Sequence, residues 1–128
     1  MFSHIMIGTD DMDASKAFYD ATLGALGAHP GRADPTGRVA YVHDGGMLIL
    51  TKPINGEPAC HANGGTIGFA ATSPEAADAW HAAGVAAGGT AIEDAPGVRN
   101  SPFGPLYLAY LRDPAGNKVC AMHRVAAA

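Results

Sequence analysis

The chain has 128 residues, of which 48% are hydrophobic and 16% are charged. This length fits one ordinary domain, and this composition excludes a disordered chain. Eight basic residues against twelve acidic ones leave a net charge of −4, which argues against a nucleic-acid-binding surface because such surfaces need an excess of positive charge. No apolar run approaches the roughly 18 residues that a membrane span needs. We therefore expect neither a nucleic acid nor a membrane as a partner.

The first residues and the cysteines favour a cytoplasmic location. Residues 1–8 have no basic flank and are followed by Asp10 and Asp11, so they do not resemble a signal peptide. Cys60 and Cys120 lie far apart, and neither belongs to a Cys-x-x-Cys motif. A chain of this size without a signal needs no disulfide, so we expect both cysteines to be reduced thiols.

The first half of the chain predicts a strand, a helix and a β-hairpin. Residues 2–8 are apolar and β-branched, which is typical of a strand. Asp11 can cap a helix over residues 12–26, where apolar residues recur every three or four positions before Gly27. An Asp-Gly pair, which is a strong hairpin signal, joins two predicted strands over residues 38–43 and 47–51.

The same order of elements recurs in the second half. A predicted strand over residues 66–71 precedes Ser73, which is a suitable cap for a helix over 74–87 with a proline and an acid in its first turn. An offset of 62 residues aligns His4 with Thr66 and aligns Phe18 with Trp80, and we expect both aromatic residues in the core. The remaining predicted segments are a strand over 90–93, a loop over 95–105 and two strands over 106–111 and 118–123.

The repeat predicts where a ligand would bind. One helix covers only one face of the sheet in its own half, so the other face stays open. Two such halves can place their open faces around a shared concave space, and a small molecule fits such a space.

Two sequence motifs carry a resemblance to a known family. The first consists of SHIMI at residues 3–7 with SKAFYDATLG at 15–24, and the second is LRDPAGNKV at 111–119. Together they resemble the vicinal oxygen chelate superfamily, which includes glyoxalase I, the bleomycin-resistance and fosfomycin-resistance proteins and the extradiol dioxygenases. The resemblance extends over nearly the whole chain. It implies an α+β fold of paired βαβββ modules, about 1–60 and 61–128, whose curved mixed sheets surround a cavity within a single glyoxalase-like domain. It also implies a homodimer.

The resemblance also implies where a metal would bind. Metal-dependent members of the superfamily hold one divalent ion with three or four ligands of the His or Glu type, and the matching positions here are His4, about Ile49, Thr66 and Cys120. His4 suits such a site, but Ile49 has no donor atom and Thr66 is neutral. The thiolate of Cys120 departs from the usual carboxylate. We therefore expect no cofactor, with His4 as the candidate ligand if zinc, nickel, manganese or iron does bind.

The candidate ligand-binding residues are His4, Thr66, Arg99, Tyr107 and Cys120. Arg99 lies in the predicted loop, where its guanidinium could hold a ligand carboxylate or simply be solvated. Tyr107 and Tyr110 alternate along one strand, so only one of them can face the cavity. By the same alternation His123 lies on the opposite face from Cys120. The alternative to a ligand-binding role for Cys120 is that of a small buried hydrophobe. His43 and His61 are expected to be solvated side chains that could add metal donors.

Two functions remain open from the sequence. In the first, the protein binds a small organic molecule in its cavity without a metal, as the bleomycin-resistance branch does. In the second, a site around His4 and Cys120 makes it a metal-dependent lyase or isomerase of the glyoxalase I type, or a dioxygenase-like enzyme. The poor donors at two of the four ligand positions favour binding. The frequency of enzymes in the superfamily favours catalysis, and the catalytic residues are not identified.

Overall fold

The computed structural model describes residues 1–126, which form two helices and nine strands. The helices are α1 (Met12–Ala25) and α2 (Pro74–Ala86). The strands of the first half are β1 (Ile5–Gly8), β2 (Arg32–Ala33), β3 (Val39–His43) and β4 (Gly46–Thr51). Those of the second half are β5 (Ile67–Ala70), β6 (Thr90–Ala91), β7 (Gly97–Ser101), β8 (Gly104–Arg112) and β9 (Lys118–Arg124).

The two halves form two mixed sheets of the same design. Sheet A has the strand order β1-β4-β3-β2, with β1 parallel to β4 and the other neighbours antiparallel. Sheet B has the order β5-β9-β8-β6, with β5 parallel to β9, and β7 also pairs with β8. Each half is thus a strand, a helix and a set of antiparallel strands in which the first strand joins the last. This arrangement confirms the predicted α+β fold of paired modules.

Two segments form strands that were not predicted, namely residues 32–33, which form the short β2, and residues 97–101. Residues 97–101 were expected in a loop, but they form β7, an edge strand antiparallel to the first half of β8. Three prolines around this segment hide it in the sequence, because proline weakens any local strand pattern. The strand forms because the neighbouring β8 supplies the hydrogen bonds and because Gly104, with φ +97°, makes the tight turn between them.

The helix boundaries follow from their capping residues, as predicted. The carboxylate of Asp11 accepts a hydrogen bond from the backbone N–H of Ala14 at 3.0 Å, and the hydroxyl of Ser73 accepts one from the N–H of Ala76 at 3.0 Å. Both side chains satisfy donors that a first helical turn leaves unpaired. Each helix ends one residue before the predicted end.

The core lies between the helices and the helix-facing sides of the two sheets. Phe18 and Trp80 are fully buried, which confirms their predicted role as core residues. Helices α1 and α2 also pack on one another. The packing around Gly84 of α2 leaves no room for a side chain, because a Cβ atom there would overlap Leu111 on β8 and crowd Phe18 on α1.

A buried polar network joins the two halves. The Tyr19 hydroxyl on α1 donates to Asp113 Oδ2 at 2.6 Å, and Asn117 Nδ2 donates to the same oxygen at 3.0 Å. Asn117 Nδ2 also donates to the carbonyl of Gly8, at the end of β1, at 3.1 Å. The polar side chains of both sequence motifs therefore hold the first half against the turn between β8 and β9. Within this chain, these residues have a structural role.

Candidate functional site

The strand register divides each sheet into a helix-facing side and an outer face. In sheet A, Leu48 and Leu50 are buried against the helices, whereas Met6 and Ile49 pair with one another on the outer face. In sheet B, Val119 and Ala121 face the helices, so Cys120 lies on the outer face. These two outer faces are the surfaces on which the sequence predicts a ligand site.

Cys120 lies between two strands that shield it. In the register it is opposite Gly68 on β5 and Tyr110 on β8, and it is only 7% exposed. A Cβ atom on Gly68 would lie 3.3 Å from the Cys120 sulfur, so the glycine leaves room for the thiol. Burial raises the pKa of the Cys120 thiol to about 11. At neutral pH the group is therefore an uncharged thiol, which is a poor metal ligand and a poor nucleophile.

Of the other metal positions implied by the resemblance, only His4 has a suitable donor atom. His4 is exposed, with Nδ1 2.8 Å from the hydroxyl of Ser3, and Thr66 is exposed immediately before β5. Ile49 presents only hydrocarbon. Within residues 1–126, no three His, Cys, Asp or Glu side chains are grouped closely enough to hold a metal ion. One imidazole, a neutral hydroxyl and a protonated thiol do not fit a divalent metal, which needs deprotonated ligands.

Arg99 is placed differently from its predicted position in a loop. It lies on β7, where its Nη1 donates to the carbonyl oxygens of Ala95, Gly97 and Leu108, each at 3.0 Å, and its Nη2 donates to that of Asp94 at 2.9 Å. These bonds hold the guanidinium against the backbone of its own hairpin. Its terminal nitrogens are thus engaged in fixing the segment that leads into β7.

The two tyrosines of β8 occupy opposite faces, and the register identifies which one is near Cys120. Tyr110 pairs with Cys120 on the outer face. Tyr107, the tyrosine selected from the sequence as a ligand-binding residue, pairs instead with His123 on the helix-facing side. Its hydroxyl donates to Asp78 on α2 at 2.6 Å. This placement separates Tyr107 from Cys120, whereas the prediction that His123 and Cys120 lie on opposite faces is confirmed.

The outer face of sheet B carries an ionic cluster around Tyr110. The Lys118 ammonium lies 5.0 Å from the centre of the Tyr110 ring and forms an ion pair with Glu93. The guanidinium of Arg99 lies 5.8 Å from the same ring centre. The ring thus interacts with two cations whose other partners lie within the protein. Sequence reasoning gave no role to Lys118 or Glu93, because their contact depends on the pairing of β6, β8 and β9.

A cavity lies at the seam between the two halves. This seam cavity has a volume of about 350 Å³ and is lined by residues 2–5, 43–48 and 67–70 together with Leu23, Leu26 and Tyr41. Most of its lining is apolar, and His4, His43 and Asp44 add polar groups. Of the five candidate ligand-binding residues, only His4 lines it.

His43, which was expected to be solvated, lines this cavity, and so does Asp44, which sequence reasoning did not single out. The hairpin they belong to was predicted, but nothing local indicates that it reaches the end of α1. Tyr41 is another lining residue, and its hydroxyl is already used: it donates to Asp20 at 2.7 Å and to the carbonyl of Lys16 at 3.1 Å. The aromatic ring of Tyr41 is therefore held in position against the cavity by α1.

Comparison with known proteins identifies the class to which this fold belongs. Residues 1–121 match the family model of the Glyoxalase/Bleomycin resistance protein/Dioxygenase superfamily. The chain therefore belongs to this superfamily, which confirms the resemblance drawn from its two motifs. No curated protein matches the sequence.

Solved structures show the same fold along the whole chain. A glyoxalase/bleomycin resistance protein from Albidiferax ferrireducens T118 is 58% identical, with 97% of this chain and 99% of that chain covered and a TM-score of 0.94. A lactoylglutathione lyase from Agrobacterium tumefaciens is 26% identical, with 95% and 93% covered and a TM-score of 0.66. A glyoxalase-related enzyme from Fulvimarina pelagi, 20% identical over 95% and 86%, shares the fold with a TM-score of 0.72.

Proposed function

We propose that this chain binds a small, mainly apolar organic molecule in the seam cavity, and that it does so without a metal at the positions its superfamily uses. The observation that carries the proposal is the chemistry of the cavity wall. Apolar side chains form most of it, and of the four superfamily metal positions only His4 reaches it. Such a wall favours a ligand by burying its hydrocarbon and orients it through a few polar groups.

The size and the polar groups of the cavity indicate the kind of ligand. A volume of about 350 Å³ is near the lower end of the range of about 300–1,000 Å³ found for small-molecule sites. The imidazoles of His4 and His43 can each donate or accept a hydrogen bond. A compound with an aromatic or aliphatic body and one polar group suits these features.

A ligand screen, combined with a substitution that fills part of the cavity, tests this proposal. Nuclear magnetic resonance screening of small aromatic and aliphatic compounds should shift the amide signals of Leu26 and His43. In the variant Ala70→Leu, which adds bulk to the cavity wall, affinity should fall at least about tenfold, or about 1.4 kcal/mol. The same substitution at the exposed Ala33 on β2 is the matched control and should leave affinity unchanged. Shifts confined to Tyr110 and Lys118 would place the ligand on the outer face of sheet B and contradict the proposal.

Calorimetry tests the proposed absence of a metal site. Protein treated with a chelator is titrated with zinc, nickel, manganese and ferrous iron, and His4→Ala is compared with His29→Ala, which removes another exposed imidazole. We expect no stoichiometric binding with a Kd below about 1 μM. Tighter binding that is lost in His4→Ala alone would show that donors such as His43 or His61 complete a site.

The second candidate function is a metal-dependent lyase or isomerase of the glyoxalase type. One observation favours it: a chain with 26% identity and nearly full coverage is a lactoylglutathione lyase. A direct assay of lactoylglutathione lyase activity with each of the four metals distinguishes the two functions. Activity that depends on both the metal and His4 would replace the binding proposal.

Assembly and location complete the proposal. We infer a homodimer, because the outer face of sheet A exposes large apolar side chains, with Val42 65% and Met47 39% exposed.

A cytoplasmic location is supported by the two free cysteines, Cys60 and Cys120, which a reducing compartment maintains. None of the helices within residues 1–126 is long and apolar enough to cross a membrane.

A further inference from the structure

Two cationic side chains flank a second depression, away from the seam cavity. This depression, of about 380 Å³, lies at the end of sheet A next to the start of α1. We call it the Arg38 depression. Its lining consists of Met12, Thr36, Gly37, Arg38, Thr51 and Lys52. Nothing in the sequence motifs or in the proposed function involves it.

The cations of the chain are not equally available to a ligand. Five of the eight have partners for their terminal nitrogens: two lysines form ion pairs, and three arginines donate to backbone carbonyls, namely Lys16, Lys118, Arg99, Arg112 and Arg124. The terminal nitrogens of Arg32, Arg38 and Lys52 have no acceptor within residues 1–126. Two of these three cations lie around the same depression, in a protein with a net charge of −4.

The guanidinium of Arg38 is held in a fixed orientation by a hydrogen bond at Nε. Its Nε donates to the hydroxyl of Thr51 at 3.0 Å, and that hydroxyl donates onward to the carbonyl of Lys52 at 3.0 Å. The bond at Nε fixes the plane of the guanidinium and leaves both terminal nitrogens to face an acceptor. An arginine fixed in this way loses less conformational freedom when it binds a planar or tetrahedral oxyanion.

The carboxylate of Asp34 lies close enough to Arg38 to offset part of its charge. Asp34 uses Oδ1 to accept hydrogen bonds from the hydroxyl and the N–H of Thr36 and from the N–H of Arg38. These bonds from Thr36 and Arg38, together with the charge of Arg38, hold the pKa of Asp34 below its usual value. The lining itself carries two cations, Arg38 and Lys52, and no carboxylate, which favours a dianion over a singly charged carboxylate ligand.

We propose that the Arg38 depression binds a phosphate group, either the free ion or a phosphate monoester. The fork of Arg38 contacts two phosphate oxygens and the ammonium of Lys52 contacts the third, as these side chains do in phosphate sites generally. Because Asp34 opposes binding and the site is open to water, the expected Kd for inorganic phosphate is of the order of 1 mM at low ionic strength.

Titration with inorganic phosphate at pH 7.5, followed by the amide signals of Gly37 and Thr51, tests the proposal. Affinity should fall at least about tenfold in Arg38→Gln and in Lys52→Gln, because each removes a charged hydrogen-bond donor. Arg124→Gln, which removes one positive charge from sheet B, is the charge-matched control and should bind like the unmodified protein. Lys52 is exposed and its ammonium has no acceptor among the described residues, so its variant remains informative if Arg38→Gln destabilises the fold.

Titrations with two further ligands identify the source of the phosphate group. Methyl phosphate should shift the same two amides; tighter binding than inorganic phosphate points to a monoester ligand. Acetate should bind at least about tenfold more weakly, since it carries one charge. Phosphate shifts that are absent up to about 50 mM, or that survive in both Arg38→Gln and Lys52→Gln, would show that no such site exists.

Discussion

The two cysteines have the same side chain but very different environments. Cys60 is exposed in the segment between the two halves, whereas Cys120 is shielded between β5 and β8, and burial raises the pKa of its thiol to about 11. The reactivity of a thiol depends on its thiolate fraction and its access. The position assigned to a metal ligand by resemblance therefore holds the less reactive of the two thiols.

This difference predicts selective alkylation. With iodoacetamide at pH 8, Cys60 should be modified at least about 100-fold faster than Cys120, because the thiolate of Cys120 is scarce and shielded. Peptide mass spectrometry at successive times measures both rates in one sample. In urea the two rates should converge, which controls for the intrinsic reactivity of each peptide; equal rates in the folded protein would contradict the assigned burial.

Two threonines of the first half differ in whether their hydroxyl has a partner. Thr9 accepts hydrogen bonds from the hydroxyl of Ser15 at 2.7 Å and from the N–H of Asp11 at 3.1 Å. Thr22, fully buried on α1, has a hydroxyl without a partner within the described chain. An unsatisfied buried hydroxyl destabilises a fold, whereas a satisfied one contributes to it.

Replacement by valine should therefore have opposite effects at these two sites. Thr22→Val should leave the free energy of unfolding unchanged or raise it by up to about 1 kcal/mol, because no hydrogen bond is lost. Thr9→Val should lower it by about 1–3 kcal/mol, because Ser15 and Asp11 lose their acceptor. Urea denaturation measures the free energy of unfolding of both variants. A clear loss of stability in Thr22→Val would indicate a buried water bound to that hydroxyl.

At the scale of elements, the Phe-Tyr motif of α1 and the turn between β8 and β9 act as one unit. Tyr19 on α1 and Asn117 in the turn both donate to the buried carboxylate of Asp113. The helix thereby fixes the turn that positions β9, and Asn117 fixes the end of β1. This contact explains why residues so far apart in the chain carry a common family signal.

Removing one hydroxyl tests the strength of this contact. Tyr19→Phe should lower the free energy of unfolding by about 1–3 kcal/mol, because a buried carboxylate loses a donor. Tyr107→Phe is the matched control: it removes a hydrogen bond of the same 2.6 Å length to Asp78 in an exposed setting, and it should cost less than about 1 kcal/mol. Similar losses in both variants would show that burial adds nothing to the Tyr19 contact.

For the whole molecule, the outer face of sheet A is the surface that a second copy would cover. Met6, Val42 and Met47 are 39%, 65% and 39% exposed on it. Adjacent exposed side chains of this kind are unusual on a surface without a partner. In the proposed dimer, burying them would also compensate for the limited core of a chain of this size.

A charge on this face should separate the proposed dimer. Light scattering at micromolar concentration should give a dimer mass for the unmodified protein and a monomer mass for Val42→Glu, because burying an unpaired carboxylate is strongly unfavourable. Ile54→Glu places the same charge on a loop side chain that is 94% exposed and should leave the dimer intact. A monomer mass for the unmodified protein at every concentration would contradict the dimer proposal.

The sequence alone determined the features that depend on neighbours along the chain. Caps at Asp11 and Ser73, the Asp-Gly hairpin and the periodicity of both helices are local signals, and the repeat of these signals gave the paired modules. The alternation of side chains along a strand also separated His123 from Cys120, since it needs only the strand itself. The motifs gave the superfamily because their residues form contacts that this fold requires.

Only the tertiary structure decided what the candidate site contains. Whether Tyr107 or Tyr110 lies beside Cys120 depends on the face that β8 turns toward α2, and the partners of Arg99 depend on the pairing of β7 with β8. The seam cavity joins the start of β1, the hairpin at His43 and strand β5. The repeat relates β1 to β5, but no local signal in the sequence shows that the hairpin at His43 lies beside them. Sites of this kind form where separate elements meet, so long-range packing, rather than local preference, determines which side chains share them.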